Sequence, residues 1–331
     1  MRGFVIATAV SVLLALGGCG SDSDSDAADG PAGTPTTSGS PTAGNDRVQV
    51  VAVTDVYADI VRTIGGDLVD VQALISSDSG ADPHSYEATA RDQLAVSGAD
   101  LVISNGGHYD EFLTRALDAA GGERTVLTAV TEAHHEDEGE AALASSPAPH
   151  DHGEDSNEHV WYDLKAMNVL ATGIAGALAA LRPSDASGFT ARAGEFQNEL
   201  GDLMDRQAAI REAHNGVAVA VTEPLPLYLL ADCGLVDETP EGFSEAIEEG
   251  TDVPARTLQE TLDLFADQAV RVLIYNFQTT GPQTERVQDA AEDAGIPVVA
   301  MSETLPAGQD YLTWMRANLD ALEAALDAGQ A

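Results

Sequence analysis

The chain has 331 residues, 44% of them hydrophobic, and sets 55 Asp and Glu against 15 Lys and Arg for a formal net charge of −40. Such an acid excess argues against nucleic acid as a partner and suits solubility and the attraction of cations. The length is enough for two α/β lobes, each with its own core.

Residues 1–19 read as an export signal. Phe4 to Leu16 is an apolar run too short to span a bilayer, and Leu16-Gly17-Gly18-Cys19 forms a lipobox, which predicts cleavage at Cys19 and lipid attachment to its sulfur. Residues 20–46, with Ser21-Asp22-Ser23-Asp24-Ser25-Asp26 followed by Gly, Pro, Ser and Thr, have almost nothing to bury and read as a disordered tether. A flexible chain of this length spans roughly 25 to 30 Å. Cys233 is the sole cysteine after Cys19, so no intramolecular disulfide is expected in the mature chain, and Cys233 reads as a small apolar residue of a buried helix end.

From residue 47 the pattern alternates apolar and amphipathic runs, as in a parallel sheet flanked by helices. A first α/β lobe is expected over 47–183, with strands at Val48–Thr54, Val69–Ile75, Leu101–Ser104 and Thr125–Leu127 and helices at Val56–Ile64, Thr89–Ser97 and Tyr109–Ala119. The rhythm stops at 130–158, a polar, His-rich stretch that reads as a long loop, and resumes with a helix over Asp163–Leu181. Residues 184–214, with Phe189, Phe196, Leu200, Leu203 and Ile210 at helical spacing, predict one rigid linker helix, about 28 residues of which would run about 42 Å. A second α/β lobe follows over 215–331. Its strands are expected at Val217–Thr222, Val270–Tyr275 and Pro297–Met301, and its helices at Leu225–Ala231, Thr257–Asp267, Gln283–Ala294 and Asp310–Leu326.

Five of the eight histidines, His134, His135, His150, His152 and His159, fall in or beside the acidic stretch. A low-complexity run of His, Asp and Glu is a compositional sign of metal capture. The four that precede His159 would bind weakly and raise the local metal concentration without forming one rigid site. Open α/β sheets bind ligands beyond the carboxyl ends of their strands. His84 follows the second strand in a loop fixed by Pro83, His159 ends the His-rich loop, and Glu223 follows Val217–Thr222 directly. Two imidazoles and a carboxylate suit zinc or manganese, whereas calcium and magnesium call for oxygen donors alone. His108, near a helix start, reads as a surface residue, and His214 as a favourable charge at a helix C-terminus.

The motifs Asp82-Pro83-His84-Ser85-Tyr86-Glu87, Ala99-Asp100-Leu101-Val102-Ile103-Ser104-Asn105-Gly106 and Glu158-His159-Val160-Trp161-Tyr162-Asp163, together with the lipobox, resemble the zinc/manganese solute-binding lipoproteins of ABC transporters. The resemblance covers essentially the whole mature chain. It implies two α/β lobes joined by a long helix, a metal bound in the cleft between them, and delivery to an ABC permease by a monomer held to the outer face of the cell membrane through Cys19. By motif position His84 and His159 correspond to the family's first two histidine ligands and Glu223 to the third, which is histidine in many zinc-type members and glutamate in many manganese-type ones. The fourth is usually a carboxylate just after a later strand, but Leu273-Ile274-Tyr275-Asn276-Phe277-Gln278 has none there. An amide oxygen of Asn276 or Gln278, a water, or a carboxylate such as Asp252 or Glu303 could fill that place.

The His-rich stretch favours Zn²⁺ by the divalent affinity order, while Glu223 pulls toward a harder ion such as Mn²⁺. Zinc is the expectation, with manganese as the alternative. A metal-dependent hydrolase is the competing class. Against it, the chain has no His-Glu-x-x-His, Gly-x-Ser-x-Gly or phosphate-binding glycine loop.

Overall fold

In the computed structural model the chain is described over residues 47–77, 86–134 and 157–328, with backbone alone for 132–134. Its first strand, β1 (Val48–Thr54), is apolar at nearly every position and buried on both faces, as a strand with neighbours on each side and helices above and below must be. Helix α1 (Asp55–Gly65) follows without a loop and buries Val56, Tyr57, Ile60, Val61 and Ile64 at helical spacing. It ends at Gly66, whose φ of +59° glycine adopts without strain and whose N–H donates to Arg62 O. Next come β2 (Val69–Ile75), α2 (Ala90–Gly98), β3 (Leu101–Ser104), α3 (Glu111–Ala120), β4 (Thr125–Thr128) and α4 (Ala129–His134). The four strands form a parallel sheet in the order β2-β1-β3-β4, with Val50 opposite both Val71 and Leu101.

Helix α5 (Leu164–Leu181) and the 29-residue α6 (Ala186–His214) connect the lobes. Among the described residues α5 is the one helix long and apolar enough to cross a membrane, yet half of it is buried and it packs against α1, α4 and α6 as a core helix. At 1.5 Å per residue α6 extends about 44 Å. Arg192 fastens it to the first lobe, donating from Nε to Ile64 O at 2.6 Å and from Nη2 to Gly65 O at 3.1 Å.

The second lobe runs β5 (Ala218–Val221), α7 (Leu227–Asp232), β6 (Val236–Asp237), α8 (Phe243–Glu248), α9 (Ala255–Ala266), β7 (Leu273–Asn276), α10 (Pro282–Asp293), β8 (Val298–Met301) and α11 (Tyr311–Ala328). Its sheet, β6-β5-β7-β8, is again parallel and repeats the order of the first. Two lobes, each a parallel sheet flanked by helices and joined by a long helix, is the fold class expected from the sequence. The duplication is one of topology, with no matching sequence repeat.

Three features depart from the sequence expectation. Helix α4 continues to His134, so the regular structure reaches past residue 130, where the loop was expected to begin; Ala129 and Val130 are buried and draw the chain onto α5. The two-residue β6 and six-residue α8 carry too few residues for a periodic signal and owe their form to tertiary packing, Phe243 being fully buried. Finally, α11 is not confined to the second lobe: besides β8 it packs on α6 and on α1 of the first, where Tyr311 N donates to Asp59 Oδ2 at 2.8 Å.

The principal core is continuous across both lobes, running from Val51, Ile60, Leu170 and Trp161 to Val221, Ile274, Met301 and Tyr311. A smaller cluster around Phe243, Phe265 and Val287 fills the other face of the second sheet.

Candidate metal centre

Both sheets change direction between their second and third strands in space, β1 with β3 and β5 with β7, the crevice where open α/β sheets bind ligands. In the second lobe Glu223 lies just after β5, Asn276 ends β7, and Glu303 lies just after β8. All three side chains are buried.

His159 comes from the first lobe. It precedes a single 3₁₀ turn, Val160–Tyr162, whose three side chains are all buried, and Asp163 then caps α5 by accepting from Lys165 N at 2.9 Å and Ala166 N at 3.2 Å. A rigid turn and a helix start therefore fix the imidazole. It sits among aromatic rings, 5.1 Å from Trp161 and 6.2 Å from Tyr109 between centroids. Its Nδ1 lies 2.8 Å from Asn157 Oδ1, which also accepts from His159 N at 3.0 Å. A carbonyl oxygen only accepts, so Nδ1 carries the proton and Nε2 presents the lone pair. That is how metal-binding imidazoles are oriented, one nitrogen donating to an oxygen while the other faces the ion. Nε2 points to Glu248 Oε1 of the other lobe, 3.5 Å away.

Glu248, at the end of α8, completes a carboxylate-rich wall opposite His159. Burial, then the nearby charges of Glu223 and Glu158, push its carboxyl up from 4.5 to about 8. Glu158, beside His159, is likewise raised by burial, and its Oε1 accepts from His108 N; a side chain on Gly107, at φ +64°, would collide with it. The first-lobe support for this corner is Asn105 at the end of β3, which donates from Nδ2 to Glu158 O at 2.9 Å and accepts from Tyr57 Oη at 2.5 Å.

Asn276 and Gln278 do not turn oxygens toward the carboxylates. Asn276 Nδ2 donates to Glu223 Oε2 at 2.6 Å and to Glu303 Oε1 at 3.1 Å, and its Oδ1 accepts from Gln278 N at 3.0 Å. Gln278 Oε1 accepts from Glu303 N at 2.6 Å and Thr304 N at 3.1 Å, and Nε2 donates to Thr304 Oγ1 at 2.6 Å. Both amides thus spend their oxygens on backbone N–H groups. Of the two carboxylates named as alternatives, Glu303 is buried within this cluster and Asp252 is exposed. Glu303 follows its strand as Glu223 follows β5, a signal present in Met301-Ser302-Glu303. Glu248 had none, lying in an acidic run between two glycines.

His84 lies outside the described residues, as do His135, His150, His152 and Cys19; His134 is described as the last residue of α4, without its side chain. The described residues nearest to His84 in the chain are held in place. Ser77 N donates to Asp55 Oδ2 at 2.9 Å, and Tyr86 packs on Phe112 while its hydroxyl donates to Asp92 Oδ2 at 2.8 Å. Among the described residues no three His, Cys, Asp or Glu side chains are gathered closely enough to hold an ion. His108 is exposed beside Glu111, His214 packs with Asp327 of α11 at 3.4 Å, and the buried Cys233 thiol is pushed up to about 12, which keeps it protonated and inert.

The lobes meet around the cluster. Asn157 Nδ2 donates to Pro224 O at 2.9 Å, Tyr228 Oη to Asn157 O at 2.8 Å, and Tyr162 Oη to Ser302 O at 2.8 Å. Residues 50–325 match the family described as "Zinc-uptake complex component A periplasmic". Among curated proteins the chain is 24% identical to the manganese-binding lipoprotein MntA of Bacillus subtilis over 98% of its own length and 100% of the relative's. It is 26% identical to the zinc-binding protein TroA of Treponema pallidum, over 84% of this chain and 88% of TroA. The solved TroA structure shares its fold, with a TM-score of 0.64 at 22% identity, covering 85% of this chain and 99% of TroA. The match along nearly the whole folded chain, with buried imidazole and carboxylates facing one another across the lobes, makes this protein a member of the zinc-uptake complex component A family, the extracytoplasmic metal-binding receptors of ABC uptake systems.

Proposed function

We propose that the chain captures Zn²⁺ between its lobes through His84, His159, Glu223 and Glu303 and hands it to an ABC permease, while a lipid on Cys19 and the 20–46 tether hold it at the membrane surface. His134, His135, His150 and His152 gather ions for this site. The observation that carries the reading is the fully buried His159, with Nδ1 fixed on Asn157 and Nε2 3.5 Å from Glu248 Oε1 of the other lobe. Two imidazole nitrogens and two carboxylate oxygens form the four-donor set that zinc takes. As a solute-binding family member the chain is a receptor and not an enzyme, so the hydrolase alternative falls.

Manganese is the second reading, favoured by three carboxylates, Glu223, Glu248 and Glu303, on the second-lobe side. Calorimetric titration of metal-stripped wild type, His84→Ala and His159→Ala with Zn²⁺ and Mn²⁺ separates these readings. One tight zinc ion per chain is expected, weakened in each variant by more than the roughly 10–100-fold that loss of a supporting partner causes. Variants that bind as wild type does would refute the site, and tighter manganese than zinc would select the second reading.

A further inference from the structure

Asp55 opens α1 directly after β1, one of the two strands that flank the first sheet's crevice, and its two oxygens reach opposite lobes. Oδ2 accepts from Ser77 N at 2.9 Å, just past β2, while Oδ1 accepts from Leu305 N at 3.0 Å, on the segment that leaves β8 and 250 residues away in the chain. Service to α1 alone, as a carboxylate in a first helical turn, leaves both of these long-range bonds without a reason. The second-lobe partner is held on either side. Gln278 Oε1 takes the two preceding amides, those of Glu303 and Thr304, and Tyr162 Oη donates to Ser302 O at 2.8 Å. Further on, Tyr311 N donates to Asp59 Oδ2 at 2.8 Å and Tyr311 Oη to Trp161 O at 2.6 Å. Residues 302–311 therefore leave the second sheet and are fastened to the first lobe, with the Leu305 side chain buried in the core that both lobes share. Among these ties Asp55 is the one that also holds the exit of a first-lobe strand.

A carboxylate offers an acceptor on each oxygen, and backbone N–H bonds to it are charge-assisted. The bridge exists only while both oxygens accept, because either bond alone holds one lobe and frees the other. We infer that Asp55 is a positioning residue that ties the exits of β2 and β8 together, so that the crevice parts there and gives up its ion only when this bridge breaks. An amide in its place has one acceptor oxygen: whichever backbone N–H it keeps, its NH₂ faces the other, and the bridge is lost. Asparagine, of the same size and shape, is therefore expected to act on release as alanine does, although it keeps one of the two bonds. A carboxylate that merely stabilised the fold would show effects in proportion to the bonds lost. The inference rests on the zinc-receptor reading and adds what governs how long the ion is kept.

The test uses the full chain as wild type, Asp55→Asn, Asp55→Ala and Asp59→Ala. Zn²⁺ release from the loaded protein is followed by stopped flow into excess chromophoric chelator, and amide hydrogen exchange of the metal-free protein is read at Ser77 and Leu305. Both Asp55 variants are expected to release zinc faster by the same factor, roughly tenfold, the effect of losing one hydrogen bond to a charged group. In Asp55→Ala exchange should quicken at Ser77 and Leu305 together. Asp59→Ala removes a bond between the same helix and the same segment without touching a strand exit, so it should lower the melting temperature and leave the release rate unchanged. Wild-type release in both Asp55 variants, or an acceleration in Asp59→Ala as large as in Asp55→Ala, overturns the inference. A wild type that binds no zinc overturns the receptor reading itself. Hydrogen exchange then still decides the tie, because unchanged protection of Ser77 and Leu305 in metal-free Asp55→Ala overturns it whatever the metal does.

Discussion

Asn157 carries two burdens that one substitution separates. Its Oδ1 accepts from His159 Nδ1 at 2.8 Å and His159 N at 3.0 Å, and its Nδ2 donates across the lobes to Pro224 O at 2.9 Å. Asn157→Ala removes all of these bonds. At about 1 kcal/mol net each, the metal-free protein should lose about 2–3 kcal/mol, a fall of roughly 3–5 °C in melting temperature for a chain of this size. The imidazole also loses the partner that fixes its tautomer, which should weaken metal binding about 10–100-fold, or about 1.4–2.7 kcal/mol. Asn157→Asp distinguishes the two effects. It keeps both bonds to His159, now charge-assisted, but sets a carboxylate oxygen against Pro224 O. The metal-free protein should therefore melt lower while zinc affinity stays at or above the wild-type value. Scanning calorimetry without metal and calorimetric titration with zinc read the two quantities. Wild-type affinity in Asn157→Ala, or an equal loss in Asn157→Asp, would refute the orienting role.

Metal affinity should rise with pH toward about 8 and then level. Glu248 is held protonated to about that value by burial and its acidic neighbours; raising the pH removes the proton, adds negative charge beside the site, and favours the cation, as it does for imidazoles that must be neutral to bind. A dissociation constant unchanged between pH 5 and 8 would contradict this. Glu223→His replaces a hard donor with a borderline one and should raise the zinc-over-manganese affinity ratio; paired titrations of the two ions into wild type and variant read it, and an unchanged ratio would remove Glu223 from the ligand set.

The centres of the sheets were legible because β1, β3 and β7 are short apolar runs, buried along nearly their whole length and closed by polar residues, so they stand out from composition alone. The rule that polar residues after strands line the crevice pointed to Glu223, whereas Asn276 came in through the resemblance and Glu303 only as one of two carboxylates that could fill the fourth place. Neither route gave the direction of each group. Asn276 and Gln278 read as oxygen donors until their partners are known, because an amide offers either end and only tertiary neighbours choose between them. Glu248 was illegible for another reason: α8 is a helix made by burial of Phe243 and not by periodicity, so nothing local marks its last residue as facing His159.

The return of α11 onto α6 and α1 means that the polypeptide passes between the lobes by two separate routes, once through α6 and once from β8 to α11, over an apolar interior that both lobes share. Such a body cannot swing apart like a clamshell without tearing that interior. Opening between the lobes would therefore have to break the hydrogen bonds of Asn157, Tyr228 and the buried Tyr162 that join one side to the other.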